Sequence, residues 1–452
     1  MDLLNIIGLG NKEKDHTLIG CGTPINELNA PVKKIWLKDA DRKGHFFCFG
    51  STRIGKTKLI ENMVCQDIIK GYSVVLVDPK GDIELFSKIV QTAFGAGREK
   101  DLCMISPIYP EYSAAIDPLA YYYMPEEIVS HTVSGIKSDE EFFVNVAYET
   151  TLVIVLSLLL FQKNNSEHAA HINFNEIKKR CSHSSLAKLR ENLEDLDGEE
   201  AKEIKAALDK LLESPADFFS KISSSLRTVL TSLTVGSVGD IIGKARSNEF
   251  MKKLEQDESV ILIIQTGSLL TRRTSHTVAR VLVSMLQSFV GRRFASGKSV
   301  NPPLALYMDE FSNIAYLDIA DLFNKAGGAG IWIHAFTQSV ADLNAEIGPD
   351  YARKILDNTN TKLFMRVNDP ETAEYISDYS GTVQKFDPVL SLGGGIMIRS
   401  SEEQAVMPED VMNLNARSFF MFGFSGRYKG RTVIVKPPFV KVKFPDISVK
   451  PV

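Results

Sequence analysis

Short apolar runs alternate along the chain with longer stretches in which apolar residues recur at helical spacing. The run at 45–49 predicts a buried strand, and the apolar spacing that starts after Lys58 predicts a helix that stops at Gly71. A second apolar run at 73–77 predicts another strand. These three elements form a βαβ unit, with residues 50–57 as the turn between the first strand and its helix.

The same alternation returns in the last two fifths of the chain. Apolar runs predict strands over 260–264, 304–308, 331–335 and 362–367, and a helical pattern covers about 278–294. Strands that alternate with helices are typical of a doubly wound sheet with helices on both faces. The predicted fold class is therefore α/β, with a mainly parallel sheet.

Residues 120–255 have a different pattern, with long helical stretches, many charges and few β-branched alternations. They predict an all-α domain inserted into a sheet domain, whose two parts are then 1–119 and 256–452. The most apolar run of the insertion, 152–161, has ten residues and no charge. A bilayer span needs about 20 apolar residues, so we expect a buried core helix there.

Composition adds little to this picture. The chain has 452 residues, of which 44% are hydrophobic and 24% charged, as in a soluble folded protein. Its net charge of -4 gives no overall attraction to nucleic acid, so DNA would have to contact a local patch or a channel lining. Five dispersed cysteines without a C-x-x-C pair and a start without a signal-peptide pattern predict a reduced, cytoplasmic protein.

The turn after the first strand of the βαβ unit matches the phosphate-loop pattern G-x-x-x-x-G-K-[ST]. In this pattern backbone N–H groups and the helix amino end bind phosphate oxygens. Lys56 then faces the β- and γ-phosphates, and the Thr57 hydroxyl ligates magnesium. The sequence therefore predicts ATP and Mg2+ as cofactors. The predicted loop consists of Gly50, Ser51, Thr52, Arg53, Ile54, Gly55, Lys56 and Thr57.

Polar residues follow several of the predicted strands. Asp309 is expected to hold magnesium through water, and Glu310 is expected to polarise the attacking water. Gln338 is expected to sense the γ-phosphate from the next strand, which should lie beside that of Asp309. The alternatives are that Asp309 and Glu310 are solvated loop acids and that Gln338 is a polar turn residue.

The remaining polar features have competing interpretations. The turn that contains Asp78, Lys80 and Asp82 supports either the magnesium shell, a subunit contact or only its own surface turn. Basic clusters at 178–180, 272–273 and 292–293 are typical of solvated faces as well as of nucleic-acid contacts. The spacing of His168, His171, Cys181 and His183 matches no standard zinc site, and Gly393, Gly394 and Gly395 predict a flexible or tight loop.

Several of these motifs together carry a family resemblance, which spans about residues 45–380. They resemble the TraD/TraG-type coupling proteins of conjugative type IV secretion, within the P-loop ring ATPases that include FtsK/HerA-like motors. The helical insertion also falls where that family has its all-α domain. The motifs lie at 50–57, 76–82, 116–119, 308–311, 337–339 and 368–373.

The resemblance implies a DNA-stimulated ATPase that forms a ring, in its working state a homo-hexamer. Such a protein recruits a relaxase, or another secretion substrate, with its single-stranded or double-stranded DNA. It then drives the DNA toward the components of the secretion channel. Its expected location is cytoplasmic, at the inner face of the inner membrane.

Two features depart from the family pattern. Family members usually carry transmembrane helices before the phosphate loop, whereas the 49 residues that precede it here contain no credible span. We therefore expect attachment through partners, or an anchor that has been removed. The family also commonly places an arginine finger where residues 324–330 contain none.

Other residues are candidates for that missing positive charge. Lys325 is one substitute, and the arginines of the returning sheet region are others. Among these we favour Arg366, because its predicted strand at 362–367 should lie near the sheet edge and so reach a neighbouring subunit. The arginine candidates are Arg272, Arg273, Arg353 and Arg366.

Two further functions stay open at this point. One is a related ring ATPase, either a secretion-assembly ATPase or a DNA-end-processing translocase. The other is a nucleotide-binding adaptor that recruits substrates without productive hydrolysis, an interpretation that the missing arginine favours modestly.

Overall fold

The fold was analysed in a computed structural model that describes residues 14–447 apart from 26, 28–29, 138–140 and 391–395. The glycine-rich loop predicted at 393–395 lies outside the described residues. The strands are β1 His16–Pro24, β2 Lys33–Lys38, β3 Phe46–Phe49, β4 Ser73–Val77, β5 Leu102–Ile105, β6 Ile261–Ile264, β7 Leu304–Met308, β8 Ile331–Thr337, β9 Thr361–Phe364, β10 Thr382–Leu390, β11 Ile396–Gln404, β12 Ser418–Gly423 and β13 Gly426–Thr432.

Helices connect most of these strands. Short 3-10 turns lie at Glu99–Asp101 and Pro110–Tyr112, and a π-helical turn lies at Gly239–Gly243. The α-helices are Asp39–Arg42, Lys56–Lys70, Ile83–Gly95, Pro125–Val133, Glu141–Lys163, Phe174–Arg180, His183–Glu191, Glu199–Leu212, Ala216–Ile222, Ser224–Thr234, Gly236–Val238, Glu249–Glu255, Arg272–Ala295, Phe311–Ile314, Ile319–Lys325, Val340–Ile347, Pro349–Asp357, Pro370–Ser380 and Pro408–Met412.

The chain forms two compact units. The first comprises Met1–Val74, Ile83–Glu99 and Pro303–Lys441, and the second comprises Val75–Asp82, Lys100–Pro302 and Val442–Val452. The division predicted from sequence, with an inserted domain at 120–255, stays a prediction.

The sheet of the first unit has the strand order β2-β1-β13-β12-β9-β3-β8-β7. Its central part is parallel, since β3 pairs with both β8 and β9 and β7 pairs with β8 in the same direction. The α/β class with a mainly parallel sheet is thus confirmed. The other four strands pair antiparallel and were not predicted. β13, for example, is polar and glycine-rich and has no apolar pattern. Its pairing with β1 and β12 identifies it as a strand.

Strand β9 differs from its prediction in length and in position. It ends at Phe364 rather than at Val367, and β12 and β3 flank it on its two sides. The expectation that this strand lies near the sheet edge is therefore wrong, because the antiparallel strands extend the sheet beyond it.

A fully buried arginine organises the core of the first unit. Arg42 donates through both terminal nitrogens to the Asp67 carboxylate, at 2.7 and 2.5 Å, and its guanidinium lies 4.7 Å from the centre of the Trp332 ring. Tyr307 also donates its hydroxyl to Asp67, at 2.5 Å. Burial is the largest influence on the pKa of Arg42 and acts to lower it, but the interactions with Asp67, Tyr307 and Asp39 together outweigh burial and hold the pKa above its ordinary value.

Replacing this arginine is expected to destabilise the first unit strongly. Arg42→Leu leaves the buried Asp67 carboxylate without its cation, which typically costs about 3–5 kcal/mol. Denaturant unfolding followed by Trp332 fluorescence, in a Trp36→Phe background, measures this loss at the cluster itself. The double variant Arg42→Leu/Asp67→Leu should recover much of the stability, because no unpaired charge remains. A loss below about 1 kcal/mol in the single variant would show that the pair is not the organising contact.

The second unit contains strands in the order β4-β6-β5, and β5 pairs parallel with β6. Helices Pro125–Val133 to Glu249–Glu255 lie between β5 and β6 of this unit. Helix Glu141–Lys163 is long and apolar enough to cross a membrane by length and composition, and 56% of its most apolar stretch is buried inside the structure. It packs against helices Pro125–Val133 and Glu199–Leu212, as a core helix does.

Candidate nucleotide-binding site

The carboxyl ends of four neighbouring parallel strands meet at one edge of the first unit's sheet. The order is β9-β3-β8-β7, with Phe49 opposite Thr337 and Met308 opposite Ala335. The phosphate loop follows β3, whereas Gln338 follows β8 and Asp309 follows β7. β7 and β8 are neighbours, as predicted. Parallel α/β sheets bind ligands at the carboxyl ends of their strands.

Backbone contacts to both neighbouring strands fix the start of the loop. The Gly50 amide donates to the Thr337 carbonyl at 3.2 Å, and the Ser51 amide donates to the Arg366 carbonyl at 2.8 Å. A Cβ at Gly50 would lie 3.0 Å from Cβ of Met365, closer than side chains normally approach. The loop is therefore held from both sides, with little room for a larger residue at its first position.

The end of the loop requires a second glycine. Gly55 has φ 119°, in the left-handed region, and helix Lys56–Lys70 begins immediately after it. The helix ends at Gly71, as predicted from the sequence. No acidic residue lies in its first turn, so no carboxylate from that turn competes for the N–H groups of the helix amino end. This arrangement fits a phosphate group.

The Lys56 ammonium is folded back over the loop. It donates to the carbonyl oxygens of Gly50 and Ser51, at 2.5 and 3.0 Å, and only 6% of the residue is exposed. The buried Cys48 thiol of β3 lies within the electrostatic reach of Lys56 and of Asp309. Burial raises the pKa of Cys48 to about 12, while Lys56 lowers it and Asp309 raises it. The Lys56 ammonium and the Asp309 carboxylate are thus both close enough to the Cys48 thiol to affect its pKa.

Both acidic residues after β7 are buried, with 2% of Asp309 and 4% of Glu310 exposed. The Glu310 amide donates to Asp309 Oδ1 at 3.0 Å, and Gln338 Nε2 donates to Glu310 Oε2 at 3.2 Å. Glu310 has φ 49° and ψ 48°, a left-handed conformation that costs a residue with a side chain roughly 1–3 kcal/mol. Such strain is typical of functional positions. Burial and the contact with Gln338 disfavour the alternative of solvated loop acids.

The acidic turn of the second unit has a structural explanation. Asp78 is buried and accepts hydrogen bonds from the amides of Lys80, Gly81 and Asp82, at 3.1, 3.1 and 2.7 Å. Gln265 Nε2 also donates to it, at 3.3 Å. Burial raises the pKa of Asp78, and these hydrogen bonds oppose that shift. These contacts favour the interpretation that Asp78 shapes its own turn.

Two of the basic clusters form ion pairs within the second unit. Lys179 and Arg180 both contact Glu176, at 2.5 and 2.6 Å. Arg292 pairs with Glu127 and Glu255, and Arg293 pairs with Asp257. The third cluster, Arg272 and Arg273, is exposed at the start of a helix. These ion pairs give the clusters at 178–180 and 292–293 a structural role.

The histidines of the unmatched zinc pattern have separate partners. His171 Nε2 lies 2.9 Å from Asp117 Oδ2, and His183 Nε2 lies 3.1 Å from the Ser214 carbonyl. Over the described residues, no group of three or more His, Cys, Asp or Glu side chains is placed to hold a metal ion.

The structure also places beside the loop one arginine, Arg417, that no local motif could indicate. Arg417 donates its amide to the Ile54 carbonyl at 2.9 Å, and its Cγ would lie 3.2 Å from a Cβ on Gly55. Arg366 is exposed and lies beside the loop of its own chain, through its carbonyl contact with Ser51. Its assignment as the arginine for a neighbouring subunit stays a prediction. Lys325 and Arg353 are exposed on separate helices.

Solved structures share this fold. The conjugative coupling protein TrwBdeltaN70 in an unbound form matches with a TM-score of 0.68 at 17% identity, over 89% of this chain and 88% of that one. TrwB in complex with the ATP analogue ADPNP matches with a TM-score of 0.65 at 18% identity, over 95% and 93%. VirB4 of Thermoanaerobacter pseudethanolicus matches with a TM-score of 0.55 at 11% identity, over 93% and 97%. The fold and the loop define a RecA-like P-loop protein.

Sequence comparisons narrow this class. The family described as the TraM recognition site of TraD and TraG matches residues 303–415. The type 4 coupling protein DotL of Legionella pneumophila is 32% identical over 74 residues, which is 16% of this chain and 10% of DotL. A probable conjugal transfer protein TraG of Sinorhizobium fredii is 27% identical over 161 residues, which is 34% of this chain and 25% of that protein. Over these stretches the chain is similar to TraD/TraG-type coupling proteins, which confirms the resemblance seen in its motifs.

Proposed function

We propose that this protein binds ATP with Mg2+ at residues 50–57 and hydrolyses it to move DNA into a conjugative type IV secretion channel. The observation that carries the proposal is the pair of buried carboxylates, Asp309 and Glu310, with the half-buried Gln338, beside the phosphate loop at the carboxyl ends of adjacent parallel strands. A phosphate loop alone supports binding, whereas buried carboxylates at the next strand end support hydrolysis.

Each residue of the set has a distinct role in this proposal. Lys56 leaves the carbonyls of Gly50 and Ser51 and neutralises the β- and γ-phosphates. The Thr57 hydroxyl and, through water, Asp309 would hold Mg2+, which supplies positive charge to the phosphates when bound. Glu310 accepts the proton of the attacking water, and Gln338 couples the position of Glu310 to the γ-phosphate through their hydrogen bond.

The motor function rests on the relatives of the chain. Coupling proteins match its sequence and TrwB matches its fold, although the matched stretches span only 10% and 25% of DotL and of TraG. On this basis we propose a homo-hexamer that works at the cytoplasmic face of the inner membrane. Its proposed partners are single-stranded or double-stranded DNA, a relaxase or another secretion substrate, and the channel components.

One assay separates the proposed motor from the two other functions. ATP turnover is measured with and without single-stranded DNA, together with equilibrium ATP binding. Stimulation by DNA is the expected result, because a translocase couples strand binding to hydrolysis. An ATP turnover that does not change with DNA would indicate a secretion-assembly ATPase, and ATP binding without turnover would indicate an adaptor.

A further inference from the structure

A cavity opens in the first unit at the amino end of β9, whereas the phosphate loop lies at the carboxyl ends of the strands. Its volume is about 480 Å3, and its lining includes Asp357, Lys362, Tyr379, Phe424 and Arg427. None of these residues has a part in the proposed nucleotide site. The cavity therefore needs an explanation of its own.

Lys362 is a buried ammonium in the cavity lining, with 3% of the residue exposed. Its Nζ donates to the Thr359 carbonyl at 2.7 Å, lies 3.5 Å from the Tyr379 hydroxyl oxygen, and sits 4.5 Å from the centre of the Tyr379 ring. Burial lowers the pKa of Lys362 to about 8, and the charge of Asp357 opposes that shift. An anion bound beside Nζ would compensate, by its charge, for the hydration that the buried ammonium has lost.

Arg427 adds a second cation at the rim. Its Nη1 donates to the Ser380 carbonyl at 2.9 Å, at the end of helix Pro370–Ser380, and the residue is exposed. A guanidinium has five N–H donors in a fixed plane, so one such contact orients it without exhausting it. Among the residues that the structure describes, neither Arg427 nor Lys362 lies within 4.0 Å of a carboxylate oxygen.

The charges and apolar groups of the lining specify a ligand class. Two cations and the single carboxylate of Asp357 leave one net positive charge, which matches one carboxylate better than a polyphosphate. Phe424 is 76% exposed at the rim, in the turn between β12 and β13, where an apolar partner group would cover it. Exposed aromatic side chains beside a pocket are typical anchors of protein contacts.

We propose that this cavity binds a peptide segment of a partner protein that carries one carboxylate next to an apolar side chain. The carboxylate accepts hydrogen bonds from Lys362 and Arg427, and the apolar side chain packs on Phe424. The site is separate from the nucleotide site, so its occupancy does not require ATP.

A matched pair of capped dipeptides tests this proposal. Acetyl-Asp-Phe-amide should bind with a dissociation constant below about 1 mM, whereas acetyl-Asn-Phe-amide, which lacks only the charge, should bind at least about tenfold more weakly. Calorimetry measures both affinities. Reductive methylation near pH 8, read by mass spectrometry, measures protection of Lys362 in particular. Equal binding of the two peptides, or no protection of Lys362, would overturn the proposal.

Two rim variants give effects of opposite sign. Arg427→Gln should weaken acetyl-Asp-Phe-amide by about tenfold, because it removes a charge-assisted hydrogen bond. Asp357→Asn should tighten the same peptide by about two- to fivefold, because it removes a like charge from the lining. Both should keep wild-type ATP affinity, which separates failure of this proposal from failure of the nucleotide site. Tighter binding of inorganic phosphate than of the Asp peptide would assign the cavity to a phosphate-bearing ligand and contradict the peptide proposal.

Discussion

Lys56→Ala is expected to abolish tight ATP binding and to leave the fold intact. The lysine is buried over the loop, where its ammonium donates to the carbonyls of Gly50 and Ser51. Its loss removes the cation that we propose faces the β- and γ-phosphates, worth about 3 kcal/mol or roughly a hundredfold in affinity. Titration with a fluorescent ATP analogue in the presence of Mg2+ measures the change.

A second lysine of the same helix provides the control. Lys58 contacts Glu61 and Glu84, at 2.8 and 2.7 Å, and takes no part in the loop. Lys58→Gln keeps a hydrogen-bond donor there and should retain wild-type ATP affinity. If folded Lys56→Ala protein also bound ATP as tightly as wild type, the phosphate loop would not be the nucleotide site.

Glu310→Gln is expected to bind ATP normally and to lose turnover by about a thousandfold, within the range found for general bases. An amide has nearly the same shape as the carboxylate, and its oxygen still accepts the hydrogen bond from Gln338. It cannot accept the proton of the attacking water. A single-turnover assay at saturating ATP separates the chemical step from binding.

The matched control for this variant is Glu371→Gln, an exposed glutamate at the start of helix Pro370–Ser380. It changes the protein's charge by the same amount and should hydrolyse ATP at the wild-type rate. Hydrolysis at that rate by Glu310→Gln itself would place the catalytic base at another residue.

The sequence predicted those parts of the site that depend on short stretches of chain. Strand β3, the loop and the following helix are contiguous, and each has its own apolar pattern and glycines. The neighbouring placement of Asp309 and Gln338 was also predictable, because parallel strands bring their carboxyl ends to one edge. The roles of these residues stay predictions.

Contacts between distant parts of the chain were not predictable in the same way. The antiparallel strands β12 and β13 do not alternate with helices along the chain. They lie beyond β9 in the sheet, so β9 is not at its edge. Arg366 lies beside its own phosphate loop because β9 pairs with β3, and Arg417 packs against Gly55 from more than 350 residues further along the chain. The cavity at Lys362 likewise requires a helix end, a strand and a hairpin turn to meet.

The position of the triphosphate tests the central claim most directly. We predict that an experimental structure of Glu310→Gln with ATP and Mg2+ will show the β- and γ-phosphates within hydrogen-bonding distance of Lys56 Nζ and of the amides of residues 50–57. It should also show Mg2+ on the Thr57 hydroxyl, with a water between the ion and Asp309. A nucleotide bound elsewhere, or a loop that stays empty at saturating ATP, would contradict the account.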